Sequence, residues 1–215
     1  MVQARSVLAI TASPALAGLG IGVALASAPG PVQAVLLTEA VRGGVPRGVR
    51  ALAGSSLTFA SLLLLLALGL SVATPSGLVL RLLNVAGGVL LLWLAVDGFR
   101  SRYGVDTTSA NRRSLPPPAR GALAIVLNPG AWLFLGAVAS PLLTSATRSG
   151  GRGSAVLAGL ALGTGAGIGD LGVVLLGGLG LRRAGERVVL WTQRALAVLL
   201  AGLGIWLLVQ GVMNR

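Results

Sequence analysis

One acidic residue stands alone among apolar and small residues in the segment GTGAGIGDLGVVLLGG, residues 163–178. A carboxylate at the centre of a membrane helix costs about 2.5–3.5 kcal/mol on insertion scales, so such acids usually face a cavity and have a function. Asp170 is therefore a candidate proton carrier, or a counter-ion for the ammonium group of a bound solute. The alternative is a shifted helix register that leaves Asp170 at an interface or paired with an arginine.

Two proline-glycine motifs mark a second kind of candidate site. Pro29-Gly30-Pro31 lies in the uncharged residues 6–38, and Asn128-Pro129-Gly130 lies in the uncharged residues 121–147. Proline lacks an N–H and clashes with the carbonyl one turn earlier, so a helix opens there. The freed carbonyls need a cavity, water or a neighbouring helix. They would line a substrate or proton site, unless each motif is a plain kink or the end of a span.

Polar side chains accompany both motifs. The Asn128 amide adds a donor and an acceptor to the second one. Ser27 and Gln33 flank the first, where they would line the same site or lie in the solvated interface. Ala26-Ser27-Ala28 also fits a signal-peptidase cleavage site. However, the apolar run from residue 6 to residue 28 exceeds the roughly 7–15 residues of a signal core, which favours a broken membrane helix.

Composition indicates that membrane helices hold these residues. Of 215 residues, 54% are hydrophobic and 10% charged, and a soluble domain of this kind would expose one continuous apolar patch. The formal charge of +12 comes from arginines that lie between apolar runs. Because aromatic stacking platforms are missing, we predict lipid rather than nucleic acid as the partner.

Residue types that are missing from the sequence narrow the chemistry. The chain has no cysteine and no histidine, which removes thiol relays and the usual zinc, iron and copper ligand sets. It also has no phosphate-binding loop, so direct use of ATP is not expected. We predict no metal, no cofactor and no enzymatic activity.

Six membrane spans are predicted, since a helix needs about 20 apolar residues to cross a bilayer. They fall on residues 6–38 (broken at the first motif), 50–72, 77–99, 121–147, 153–181 and 188–212. Twelve arginines then lie in inner loops and five on the outer side. The positive-inside rule therefore places both termini outside.

An internal repeat relates the two motifs. A shift of 100 residues places Pro29-Gly30 on Pro129-Gly130, each in the run that opens a group of three spans. The third span of each group carries glycines, Gly87-Gly88 and Gly202 with Gly204. Three is an odd number, so the groups face opposite ways, as in the inverted repeats of secondary transporters. We predict repeats at residues 1–100 and 119–215, joined by a cytoplasmic linker at 101–118.

The remaining acids are predicted to be solvated partners of nearby arginines at inner edges or loops, where ion pairs contribute little: Glu39, Asp97, Asp106 and Glu186. Trp93 and Trp191 are predicted as anchors at the inner interface, with Arg194 snorkelling to the same level.

Glycines four residues apart favour close helix packing, at Gly18/Gly22, Gly163/Gly167 and Gly165/Gly169. Such contacts form within and between chains, so they leave the oligomeric state open.

Three segments carry a resemblance to a known family: SAPGPVQAVLLTEAVRGGVPRGVRALAG, LLNVAGGVLLLWLAVDGFRS and RGALAIVLNPGAWLFLGAV. The chain resembles the LysE/RhtB family of amino-acid exporters, which shows Pro-Gly-Pro late in the first span, a glycine pair in the third and Asn-Pro in the fourth. The resemblance implies a six-span, dimeric exporter in the plasma (inner) membrane, driven by the proton gradient. The family often has lysine after Asn-Pro, whereas this chain has Gly130.

The function predicted from these features is proton-coupled export of amino acids or related small metabolites. The two breaks and Asp170 would form the site, and amides at a half-helix N-terminus would hold the substrate carboxylate. The alternative is a non-transporting scaffold or an accessory of envelope assembly, which would need neither the repeat nor the intramembrane acid. An electron relay or metal transporter is disfavoured because cysteine and histidine are missing.

Overall fold

The computed structural model describes residues 2–28, 30–69, 77–100, 115–181 and 186–213. These residues are helical apart from short connections, and no strand occurs among them. Most of the predicted linker, with Asp106, lies outside the described residues, as do the side chains of Asp97 and Glu186.

The helices follow the apolar runs of the sequence. In chain order they are α1 (Val2–Ser27), α2 (Pro31–Ala67), α3 (Gly77–Arg100), α4 (Pro117–Val126), α5 (Pro129–Phe134), a π-helical segment (Leu135–Ala139), α6 (Ser140–Leu175), a second π-helical segment (Leu176–Leu181) and α7 (Glu186–Met213). Four stretches of the described residues are long and apolar enough to cross a membrane: Pro31–Ala67, Gly77–Val96, Pro129–Gly180 and Leu190–Met213. The predicted all-α, polytopic membrane architecture is confirmed.

Glycines divide the two longest helices. Gly44 has φ 74° and ψ −174° within α2, and Gly151 has φ 70° within α6. Positive φ is accessible to glycine at no steric cost. The prediction of an inner loop between the spans 6–38 and 50–72 is therefore wrong, because a single glycine takes up the change of direction between two helical segments. We call these segments α2a, residues 31–43, and α2b, residues 45–67.

The chain forms two compact units. Unit 1 contains Met1–Ala28, Ser56–Ser76 and Gly130–Asp170, and unit 2 contains Pro29–Ser55, Gly77–Pro129 and Leu171–Arg215. Each unit takes segments from both predicted repeats, and the inverted relation between those repeats stays a prediction.

Close packing of α1 against α6 forms the core of unit 1. A Cβ atom at Gly18 would lie 2.5 Å from the Ala158 carbonyl oxygen, and one at Gly22 would meet the Leu162 carbonyl. From the other side, Gly165 meets the Leu19 carbonyl. The predicted small-residue packing is thus present within the chain, since any larger side chain would separate the two backbones.

Unit 2 is held together by similar contacts. Gly88 of α3 and Gly204 of α7 face each other, so that a Cβ atom on either would lie 2.8 or 2.9 Å from the carbonyl oxygen of the other. Gly121 of α4 meets the Ala51 carbonyl of α2b, and Gly54 of α2b meets the Pro118 carbonyl. These contacts fix α4 against α2b with little freedom to slide, because backbone rather than flexible side chain lies at the contact.

Candidate functional site

The first proline-glycine motif interrupts the helix as predicted. α1 ends at Ser27 and α2 begins at Pro31. The last bond before the interruption runs from the Ala28 amide to the Leu25 carbonyl (3.2 Å), and the first bond after it from the Ala34 amide to the Gly30 carbonyl (3.0 Å). Pro31 occupies the first helical position, where a missing N–H costs nothing. Pro29 lies outside the described residues.

The second motif interrupts the chain in the same way. α4 ends at Val126 and α5 begins at Pro129. The backbone N–H of Asn128 donates to the Ile125 carbonyl at 3.2 Å. This bond spans three residues, whereas an α-helical bond spans four. Pro129 is buried, Asn128 is half-buried and Gly130 is exposed. Both interruptions therefore restart as a helix with proline at its first position.

The glycine pair of α3 lies against the second break. A Cβ atom at Gly87 would meet the carbonyl oxygen of Leu127, the residue at which α4 ends. Gly88, its neighbour, makes the contact with α7 described above. Any side chain at residue 87 would push α3 away from the break. Gly87 therefore sets how closely α3 packs against it.

The other predicted site residues lie in different surroundings. Ser27 is exposed, and its hydroxyl donates to the Val23 carbonyl of its own helix at 2.8 Å. Gln33 is half-buried in α2a. Asp170 is 8% exposed in α6. Asp170, Ser27 and Gly130 belong to unit 1, whereas Gln33 and Asn128 belong to unit 2.

A buried ionic cluster in unit 2 is the feature that sequence reasoning missed. Glu39 in α2a is 1% exposed. Its Oε1 atom accepts a hydrogen bond from Arg120 Nη1 at 2.8 Å, and its Oε2 atom accepts one from Arg47 Nε at 2.7 Å. Arg42 Nη1 lies 3.8 Å from Oε1. The prediction that Glu39 is a solvated partner is wrong, because α4 and α2b cover it.

Arg120 holds three elements of unit 2 together. The residue is 1% exposed in the first turns of α4. Its Nε atom donates to the Leu115 carbonyl at 2.9 Å, and its Cζ atom lies 5.3 Å from the ring centroid of Trp93 in α3. A guanidinium on an indole face is attractive by about 0.5–2 kcal/mol, depending on solvation. Arg120 was expected in a loop, but the carboxylate and the indole ring draw it into the fold.

Arg47 reaches Glu39 across the Gly44 kink. It lies in α2b, whereas its partner lies in α2a. A Cβ atom at Gly43 would be 2.6 Å from the Arg47 Cβ atom and closer still to its Cδ atom. The absence of a side chain at Gly43 therefore makes room for Arg47 to fold back onto the carboxylate.

Stability alone does not explain such a cluster. Taking charges out of water costs several kcal/mol per ion, and apolar residues of similar volume are often as stable. Removing one partner, by contrast, leaves an uncompensated buried charge. We call Glu39, Arg42, Arg47 and Arg120 the Glu39 cluster.

A weak signal for this cluster is present in the sequence. Glu39 follows five residues, Ala34 to Thr38, of which four are apolar, just as Asp170 lies in an apolar run. The argument that marked Asp170 as an intramembrane acid applies to it equally. Its partner could not be found by spacing, because Arg120 lies 81 residues away in the chain.

The described residues form long apolar helices, and charged side chains are buried within these helices. These features define a multi-pass membrane protein. The family model of the LysE type translocator matches residues 23–211. The chain therefore belongs to the LysE type translocator family, and it is a membrane transporter. Comparison with curated proteins gave no match, and comparison with solved structures gave none either.

Proposed function

We propose that this transporter is a secondary active exporter of amino acids or related small metabolites. It works by alternating access in the plasma (inner) membrane and exchanges its solute for protons. The observation that carries the proposal is the pair of helix interruptions, one between the end of α1 at Ser27 and the start of α2 at Pro31, the other between the end of α4 at Val126 and the start of α5 at Pro129. A translocator that breaks two of its apolar helices within the membrane has backbone groups available for a polar solute.

The first break offers a site for a carboxylate. The first N–H groups of a helix have no intrahelical partner and carry the positive end of the helix dipole. The start of α2a at Pro31 supplies such groups, beside the half-buried Gln33. These features support binding of the carboxylate of an amino acid.

The second break offers polar groups of the other kind. Leu127 has φ −93° and ψ 7°, so its peptide units depart from the helical direction. Backbone carbonyl oxygens and the side-chain oxygen of Asn128 there can accept hydrogen bonds from an ammonium group, as unwound backbone does in other transporters. The two kinds of group match the two charges of a zwitterion.

Proton coupling is assigned to Asp170. The residue is buried in α6, with the buried Ala166 one turn before it. An ionised carboxylate in such a stretch is costly without a partner. Such a stretch therefore suits a group that binds a proton and a cationic solute in turn. The proposal therefore gives Asp170 the proton and the breaks the solute.

The proposed arrangement has six spans, both termini outside and two chains per assembly. Support for the inverted repeat comes from Gly88 and Gly204, which belong to the third spans of the two predicted repeats and make reciprocal contacts. The non-transporting scaffold is the weaker candidate, because the family consists of translocators.

Efflux from proteoliposomes tests the proposal. Vesicles are loaded with a radiolabelled mixture of amino acids, and a pH gradient of either sign is imposed. We expect efflux that follows the sign of the gradient, and loss of that dependence in Asp170→Asn. Asp106→Asn, in the polar linker, is the matched control and should behave as the wild type.

Each part of the proposal has its own contradicting result. Full gradient-driven efflux by Asp170→Asn would remove the proton role from this residue. Wild-type vesicles that release no amino acid under any gradient would refute the substrate class.

A further inference from the structure

We propose that Glu39 and Arg120 form an ionic lock that holds α2a against α4, and that each transport cycle opens and closes it. The two residues are positioning residues for transport rather than substrate ligands. The inference rests on the proposed alternating access. It states that this ion pair keeps one side of the transport path closed.

The lock joins the two half-helices that carry the breaks. Glu39 lies eight residues after Pro31, and Arg120 lies seven residues before Leu127. At 1.5 Å per residue each is about 10–12 Å along its helix from the break. The ion pair therefore connects the ends of α2a and α4 that point away from the breaks, at a distance that leaves the breaks to the solute.

α4 is the fixed side of the lock. Gly121 and Gly54 bring its backbone into contact with α2b, at the Ala51 and Pro118 carbonyls. Arg120 is further held by the Leu115 carbonyl and by the Trp93 ring. The guanidinium thus keeps its position and leaves its Nη1 atom directed at Glu39.

α2a is the movable side. It is a helix of 13 residues that ends at a non-helical point on both sides, at Gly30 before it and at Gly44 after it. A φ of 74° at Gly44 can change without steric cost, since glycine tolerates both signs of φ. The contacts of Glu39 with Arg120 and Arg47 tie this short helix to α4 and to α2b.

Charges suit a contact that must open repeatedly. An apolar contact favours the closed state alone, whereas water solvates a separated carboxylate and guanidinium and so compensates for the lost pair. Arg47, which is 19% exposed, and Arg42, which is 12% exposed, lie nearer to solvent than Arg120. They keep a cation beside Glu39 while its bond to Arg120 breaks.

A thiol reporter measures the lock without any substrate. The chain contains no cysteine, so Ala34→Cys in α2a is a unique label site, and it is 5% exposed. We expect slow reaction with a membrane-impermeant maleimide in vesicles of either orientation. Adding Glu39→Gln or Arg120→Gln should raise the rate about tenfold from one side only, in line with a shift in the closed-to-open ratio.

Three controls separate a lock from a merely structural role. Ala155→Cys in unit 1 is fully buried and should stay unlabelled in both variants. Arg50→Gln, an exposed arginine of α2b, should leave the Ala34→Cys rate unchanged. Arg120→Lys, which keeps the charge, should restore most of the slow rate.

The outcomes decide the proposal. An unchanged Ala34→Cys rate in Glu39→Gln and Arg120→Gln overturns it. Equal acceleration from both sides, or labelling at Ala155→Cys, also overturns it, because it shows general loosening of the fold. Labelling needs neither solute nor gradient, so one-sided acceleration combined with absent amino-acid efflux would refute the proposed substrate class and retain the lock.

Discussion

Two buried carboxylates, one in each compact unit, lie in helical segments of different composition. Asp170 of unit 1 lies in a glycine-rich stretch of α6. Glu39 of unit 2 has three guanidinium groups within 4 Å. Asp170 thus has small residues beside it along its own helix, whereas Glu39 has arginines of three helical segments against it. The cations around Glu39 identify it as a residue that fastens a helix, whereas the proton role of Asp170 is our proposal and rests on its burial in the apolar helix.

The largest expected effect comes from breaking the Glu39 cluster. Glu39→Ala or Arg120→Ala should lower the free energy of unfolding by about 3–5 kcal/mol, because each leaves a buried charge uncompensated. The measurement is denaturant unfolding in detergent micelles. The triple variant Glu39→Leu, Arg47→Leu, Arg120→Leu should recover much of the loss, and additive losses in that variant would contradict this account of the cluster.

Packing beside Asp170 should give the next largest effect. A Cβ atom at Gly169 would lie 2.5 Å from the Ala26 Cβ atom, whereas one at Gly172 would have no neighbour within 4 Å. Gly169→Ala should therefore cost about 1–3 kcal/mol through overpacking. Gly172→Ala should be neutral or gain up to about 1 kcal/mol of helix propensity. Equal melting temperatures for the two variants would show that α1 does not press on α6 here.

A smaller effect separates the two arginine–tryptophan pairs. Arg120 lies 5.3 Å from the ring of Trp93, which is 37% exposed, and Arg194 lies 6.0 Å from that of Trp191, which is 70% exposed. Trp93→Leu should lower the free energy of unfolding by about 1 kcal/mol more than Trp191→Leu, since burial strengthens the cation–π contact. Thermal unfolding followed by circular dichroism provides the comparison, and a larger loss for Trp191→Leu would reverse it.

The smallest change in stability is expected for Asp170→Asn. The amide keeps the shape of the carboxylate and removes the cost of a charge in the membrane, so the free energy of unfolding should stay within about 1 kcal/mol of the wild type. The same micelle unfolding experiment measures it. A loss as large as that of Glu39→Ala would mean that the two acids hold their units in the same way.

Much of the fold was predictable from local sequence. Apolar runs located the helices, and the missing N–H of Pro31 and Pro129 located both interruptions, because these properties act within one turn of helix. The spacing of four residues places Gly18 and Gly22 on one face of α1, so their role as contact positions was also predictable from local sequence.

Features that depend on distant residues were not predictable. The segment RGGVPRG, residues 42–48, has the composition of a loop, and only the packing around it makes it helical on both sides of Gly44. The burial of Glu39 depends on Arg120, which no periodicity in the chain relates to it. The helix breaks were therefore predictable from local sequence, whereas the Glu39 cluster was not.

The missing side chain at Gly43 has a consequence for how this transporter can be tuned. Arg47 bends over that glycine to reach its carboxylate, so a methyl group there would displace the guanidinium while every charge stays in the chain. A substitution at this one uncharged position would thus alter how firmly the proposed lock holds α2a, without removing any charged side chain from the chain.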